Sequence, residues 1–247
     1  MNRYKIFKYE LKRILVNKVF AVLLVITAFY SWQILDREIV MGVAYTAPFS
    51  QWSYGAFLGN ILPLLSITLL FFVTYLFSQK EKMVGTITSA TPADPVKYGL
   101  TKWSAILVGY VLIAAVVIGI SMVFYSRTFE FWDFGSFMVP LALTLIPSLL
   151  LTFGLGTTLG RINPNLLYVL MLLILLSGRI GLPYGLDVFS GTFFSEYPLT
   201  LPIGELGEPA FVVPASVMLG RTFVSLIGIS LIVKSVLDFR RQSAVGQ

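Results

Sequence analysis

Six stretches of this chain run for about twenty residues with almost no charge: Val19–Leu35, Ala56–Phe77, Trp103–Phe124, Phe137–Leu159, Leu166–Leu182 and Ala215–Leu237. A helix rises about 1.5 Å per residue, so roughly 20 apolar residues match a hydrocarbon core of about 30 Å. The composition agrees, with 57% hydrophobic residues, 12% charged residues and a mean hydropathy of +0.84 over 247 residues. A water-soluble fold of this length has too little interior to hide so much apolar surface. The expected fold is all-α, a polytopic membrane protein whose residues 1–247 form a single transmembrane domain of six spans.

Lysine and arginine are retained on the cytoplasmic side of short loops, which sets the expected orientation. With the N-terminus inside, fourteen of the eighteen basic residues and four of the twelve acids lie on the inner side. Arg37, Arg127, Arg179 and Arg221 fall outside with the other eight acids, so the inner side nets +10 and the outer −4. Both termini are expected in the cytoplasm of a multi-pass plasma-membrane protein. The net charge of +6 follows from these topology signals and from contact with lipid headgroups, and no nucleic-acid partner is expected.

The chain has no Cys and no His. Disulfides, thiolate metal sites, a Cys nucleophile and the commonest general base and zinc ligand are thereby excluded. No catalytic, cofactor-binding or metal-binding residue is assigned. The basic lead-in before the first span has its own pattern, with Tyr4, Phe7, Leu11, Ile14 and Leu15 at three- and four-residue steps. This predicts an amphipathic helix in the inner interface, serving as an anchor or also touching a cytoplasmic partner.

The longest inner connection, Ser78–Lys102, exceeds a simple turn. It reads as a short helix near Glu81–Ala90, a break at Thr91-Pro92, and a restart with Asp94 as cap and Pro95 in first position. Here the chain resembles the membrane subunits of type-2 ATP-binding-cassette (ABC) exporters. Those chains have six spans, both ends inside, a basic amphipathic lead-in, and an inner loop with an acid, a Gly-Thr, a Pro and a Lys entering the third span. The corresponding positions look like Glu81, Gly85-Thr86, Pro92 and Lys102, with Lys82 and Met83 inside the same helix. The resemblance implies a coupling helix seated on a separate cytoplasmic ABC ATPase subunit, and a dimer with a second permease copy or a paralogue. It also implies an exported peptide, lipid or hydrophobic drug. A capped surface loop is the plainer reading of the same residues. No Gly-x-x-x-x-Gly-Lys-Ser/Thr loop occurs, so ATP and Mg are expected on the partner chain.

On the outer side, Arg179 and Arg221 near span ends either snorkel to headgroups or pair with Glu196, Glu205 or Glu208. Arg179, Arg221 and Glu196 are also the candidate contacts for substrate at an outer gate. The segment Pro183–Pro214 is too broken by Pro and Gly to span and too apolar for a free loop, so it is expected to dip into the outer interface as short covered helices. In the resembled family this is a re-entrant segment between spans 5 and 6. The fourth span, with Pro140 and Pro147, is expected to kink. Gly55/Gly59 and Gly156/Gly160 allow close helix packing, within the chain or between copies. Tyr30, Trp32, Trp52, Tyr54, Trp103, Tyr125, Trp132 and Tyr168 are assigned to the interfacial belt. An ion-coupled transporter or a scaffold or sensor competes with the exporter reading, and an intramembrane enzyme lacks its usual residues.

Overall fold

The computed structural model describes residues 3–78, 95–178, 182–189, 191–204 and 207–245, with side chains from Tyr4 to Asp238 except Pro95. Every regular element among them is helical. Helix α1 covers Arg3–Leu15, and α2 covers Lys18–Ile34 and continues as a π-helical turn, Leu35–Ile39. Helix α3 is Gln51–Thr74 with a closing 3-10 turn, Tyr75–Phe77. Helices α4 (Pro95–Thr128), α5 (Met138–Ile162), α6 (Asn165–Ser177), α7 (Thr192–Glu196) and α8 (Ala215–Val245) follow.

Five of these are long and apolar enough to cross a membrane: Lys18–Ile39, Gln51–Phe77, Val96–Thr128, Phe134–Ile162 and Ala215–Asp238. The sequence reading placed a sixth span at Leu166–Leu182. The helix there is only 13 residues, about 20 Å, and ends at Ser177 with Gly178 as its cap. Glycine weakens a helix, and Pro183 cannot donate within one, so the chain is no longer helical at Leu182. The other expected spans are present and each is longer than the apolar stretch that announced it. Pro147 sits inside an unbroken α5.

Helix α3 is the centre of the bundle, with 78% of its most apolar window buried against 22–39% in the other four long helices. Helices α2, α4, α5, α6 and α7 all pack on it, and α8 lies mainly against α5. Small residues set these distances. A Cβ on Gly228 would lie 2.5 Å from the Leu150 carbonyl carbon, and one on Gly154 would lie 2.6 Å from the Gly228 oxygen. That is the crossing of α5 and α8. The Gly156/Gly160 pair instead receives Leu70, Val73 and Phe77 of α3, so its packing is within the chain.

Half of the expected aromatic belt is core. Trp52, Tyr54, Trp103 and Tyr125 are buried, whereas Tyr30, Trp32, Trp132 and Tyr168 are exposed. Tyr54 stacks on Phe137 at 4.0 Å, and Trp103 meets Phe153 edge-on at 5.4 Å. An aromatic partner does not by itself bury a ring, since exposed Trp32 also meets Phe124 edge-on at 5.6 Å.

Candidate functional site

The two ends of the bundle differ in charge, and each carries residues that the sequence singled out. At the basic end, Phe7, Leu11 and Ile14 of α1 point into the protein rather than toward lipid. Ile14 nests against Gly109 of α4, where a Cβ would sit 3.1 Å from its methyl group and 3.7 Å from Phe72. Tyr4, assigned to the same apolar stripe, is exposed. Glu10 shares the inward face; it is buried, bonds Arg13 at 2.9 Å and faces Lys102. Lys102, also buried, rests 3.9 Å above the Tyr98 ring one turn earlier.

Asn17 joins α1 to α2. Its side-chain oxygen accepts the Val19 N–H at 2.9 Å, capping α2, while its amide donates to the Tyr75 hydroxyl at 2.8 Å. The closing turn of α3 is therefore held by Asn17, and the first turns of α4 by α1. The connection between them carries Glu81, Lys82, Met83, Gly85, Thr86 and Pro92, which with Asp94 lie outside the described residues. Helix α4 begins at Pro95, where the sequence placed the restart.

At the acidic end three connections converge on the first turns of α3. The turn after α2 bends through Gly42, Ala44 and Tyr45, all with positive φ, and is closed by Thr46, Ser50 and Ser53 hydroxyls. Ala47 N–H donates to Glu208 at 2.8 Å, Gln51 donates to the Ser136 carbonyl at 2.7 Å, and the Trp52 indole donates to the Pro209 carbonyl at 3.2 Å. Trp52 is also the hub of Phe193, Phe194, Tyr197 and Phe211. Phe194 fills the notch at Gly55, and Gly191 lies against Gly59, so the Gly55/Gly59 pair seats helix α7.

Arg221 lies six residues into α8, about 9 Å below its start, and is only 3% exposed. It does not snorkel. The carboxylate facing it is Asp187, itself 3% exposed, and not Glu196 or Glu208. The cause is local: Gly185 lies directly on Gly220, a Cβ on either being blocked by the other's backbone, so residues 183–187 cover the second turn of α8. Thr192 donates to Asp187 at 2.5 Å and ties this cover to α7. Nε and Nη1 of Arg221 have no hydrogen-bond partner among the described residues.

Glu196 is exposed and accepts from the Tyr184 hydroxyl at 3.3 Å, beside an open hollow of about 610 Å³. Partial burial and the adjacent Glu196 carboxylate hold the Tyr184 phenol above its ordinary value. Arg179 and Glu205 lie outside the described residues. Sequence reasoning missed Trp52 as the organiser of this end and Asp187 as the partner of Arg221. The only advance signal for Trp52 was the Gly55/Gly59 notch one turn further on.

Taken together, the helices and their two unlike ends define an all-helical polytopic membrane protein. Neither family models, nor curated proteins, nor solved structures gave a match to the chain.

Proposed function

We propose that this chain is the transmembrane permease subunit of an ATP-driven exporter of ABC type, moving a peptide, a lipid or a hydrophobic drug outward. In this reading α6 belongs to the fifth of six crossings, both termini are cytoplasmic, and the membrane is the plasma membrane. The permease works as a dimer with a second copy or a paralogue, and ATP with Mg is hydrolysed on a separate cytoplasmic subunit.

The observation that carries the reading is the Ser78–Lys102 connection, with Glu81, Gly85-Thr86, Pro92 and Lys102 in the order that the resembled family uses. Its surroundings support it. Buried Glu10, buried Lys102 and the Asn17–Tyr75 bond make a stiff base on both sides of that connection. A push on the connection passes as a rigid-body motion into α3 and α4. At the other end, α7 and its flanks cover α3 and α8, a position suited to an outer gate.

The test is copurification of the tagged chain from mild detergent, with the expected outcome a stoichiometric soluble chain bearing a phosphate-binding loop. Glu81→Ala, or a Gly/Ser linker in place of residues 83–86, is expected to abolish association or coupled hydrolysis while membrane insertion is unchanged. Full coupling in both variants would refute the role given to this loop.

A further inference from the structure

The outward face of α1 is uniformly positive, and the cause is visible. Its one acid, Glu10, is turned inward to Arg13 and Lys102, while Lys5, Lys8 and Lys12 are exposed at three- and four-residue steps along one side. Tyr9, between them, is 67% exposed, and Val16 beyond them is 74% exposed. That side continues into α2, which starts at Lys18 and presents Val19, Val22 and Val25 outward. The lysine row is thus contiguous with a surface that meets lipid.

The depth of each lysine follows from the contacts. Ile14 packs at Gly109, and Glu10 faces Lys102 one to two turns nearer the start of α4, so α1 and α4 run side by side in the same sense. Helix α1 therefore follows α4 away from the hydrocarbon. Lys12 is six residues before the first residue of the span and is the nearest of the three lysines to the hydrocarbon. Lys8 and Lys5 lie about one and two turns further along α1.

We propose that the Lys8–Tyr9–Lys12 face of α1 binds the phosphates of anionic lipids in the leaflet at the basic end of the bundle. The apolar stripe of α1 is consumed by packing on α4, so this contact is electrostatic, with Tyr9 at the headgroup level. Its strength falls from Lys12 to Lys5, because the field of a charged surface decays over about 10 Å at 0.1 M salt. Selectivity for anionic over zwitterionic lipid is about fivefold for a lysine at the surface, which Lys12 supplies, and Lys8 adds a smaller factor.

The chain has no Cys, so Tyr9→Cys gives one attachment point for an environment-sensitive fluorophore. The full chain is reconstituted in phosphatidylcholine vesicles with or without phosphatidylglycerol, and quenching by spin-labelled forms of the two lipids is compared. The expected result is preferential quenching by phosphatidylglycerol that Lys12→Gln reduces about fivefold, Lys8→Gln less and Lys5→Gln hardly at all. Raising salt to about 0.5 M, where screening acts over roughly 4 Å, removes the preference, and added inorganic phosphate below that ionic strength does not. Equal quenching by both lipids, or an unchanged preference after Lys8→Gln with Lys12→Gln, overturns the proposal. So does a fluorophore that ignores lipid composition and responds only to a soluble acidic protein.

Discussion

Replacing Gly228 by alanine adds one methyl group at the point where α5 and α8 cross. That carbon would stand 2.5 Å from the Leu150 carbonyl carbon, 2.6 Å from its oxygen and 2.7 Å from the Leu151 nitrogen. All three are backbone atoms of a helix, so no side chain can swing aside. The helices must part by about 1 Å to restore ordinary contact, and overpacking of this kind costs about 1–3 kcal/mol. Gly119 is the control, because a Cβ there meets nothing within 4 Å. Alanine at Gly119 keeps only the gain in helix propensity, up to about 1 kcal/mol. That gain is common to both substitutions and cancels, so the predicted gap between Gly228→Ala and Gly119→Ala is about 1–3 kcal/mol, measured by reversible unfolding in mixed micelles with tryptophan fluorescence. Gly154→Ala opens the same crossing, its Cβ falling 2.6 Å from the Gly228 oxygen. The double variant is expected to cost less than the two singles combined, since one separation relieves both. Equal stability of Gly228→Ala and Gly119→Ala, or strict additivity with Gly154→Ala, would show that the crossing is not closed by contact at these glycines.

Asp187→Ala leaves the Arg221 guanidinium buried without its facing carboxylate and is expected to cost about 3 kcal/mol, whereas Asp187→Leu with Arg221→Met recovers most of that. The same unfolding assay decides it, and an equal loss in single and double variants sinks the pairing. Gly55→Val displaces the Phe194 ring and lifts α7 from α3. Limited proteolysis of residues 182–214 should then speed up at least about tenfold while the long helices stay protected, because segments with few remaining contacts open first. An unaltered rate of cutting would mean that Phe194 does not hold the segment down.

The long helices were legible because one-dimensional hydropathy reports crossing length directly, and Pro95 marked the start of α4 because proline fits only a first turn. What hydropathy does not report is which side of a helix faces protein. Trp52 and Trp132 both sit near span ends, yet one is 1% exposed and the other 73%. Phe7, Leu11 and Ile14 obey the amphipathic pattern equally well against lipid or against α4, and only the notch at Gly109 decides. Arg221 and Asp187 are 34 residues apart, joined through a chain reversal that Gly185 and Gly220 permit and that no periodicity announces. The site was hardest to read where the segment 182–214 is neither uniformly apolar nor periodic. The α3–α4 connection has a pattern in sequence, but its residues 79–94 are not among those described.

The central place of α3 bears on how the molecule is made. As the second long helix in chain order, it leaves the ribosome before α4, α5, α6 and α7, the helices that will bury most of its surface. During that interval its polar groups face whatever membrane surrounds the nascent chain. Thr68 and Thr74 are already satisfied, since each donates to a carbonyl of its own helix, Leu64 at 2.9 Å and Phe71 at 2.7 Å. Asn60 is the carboxamide deepest in α3, and its amide donates at 2.8 Å to Glu38, at the end of the one long helix synthesised earlier. Helix α3 can thus wait in the bilayer as a two-helix hairpin with α2, its costliest side chain satisfied before the later helices arrive.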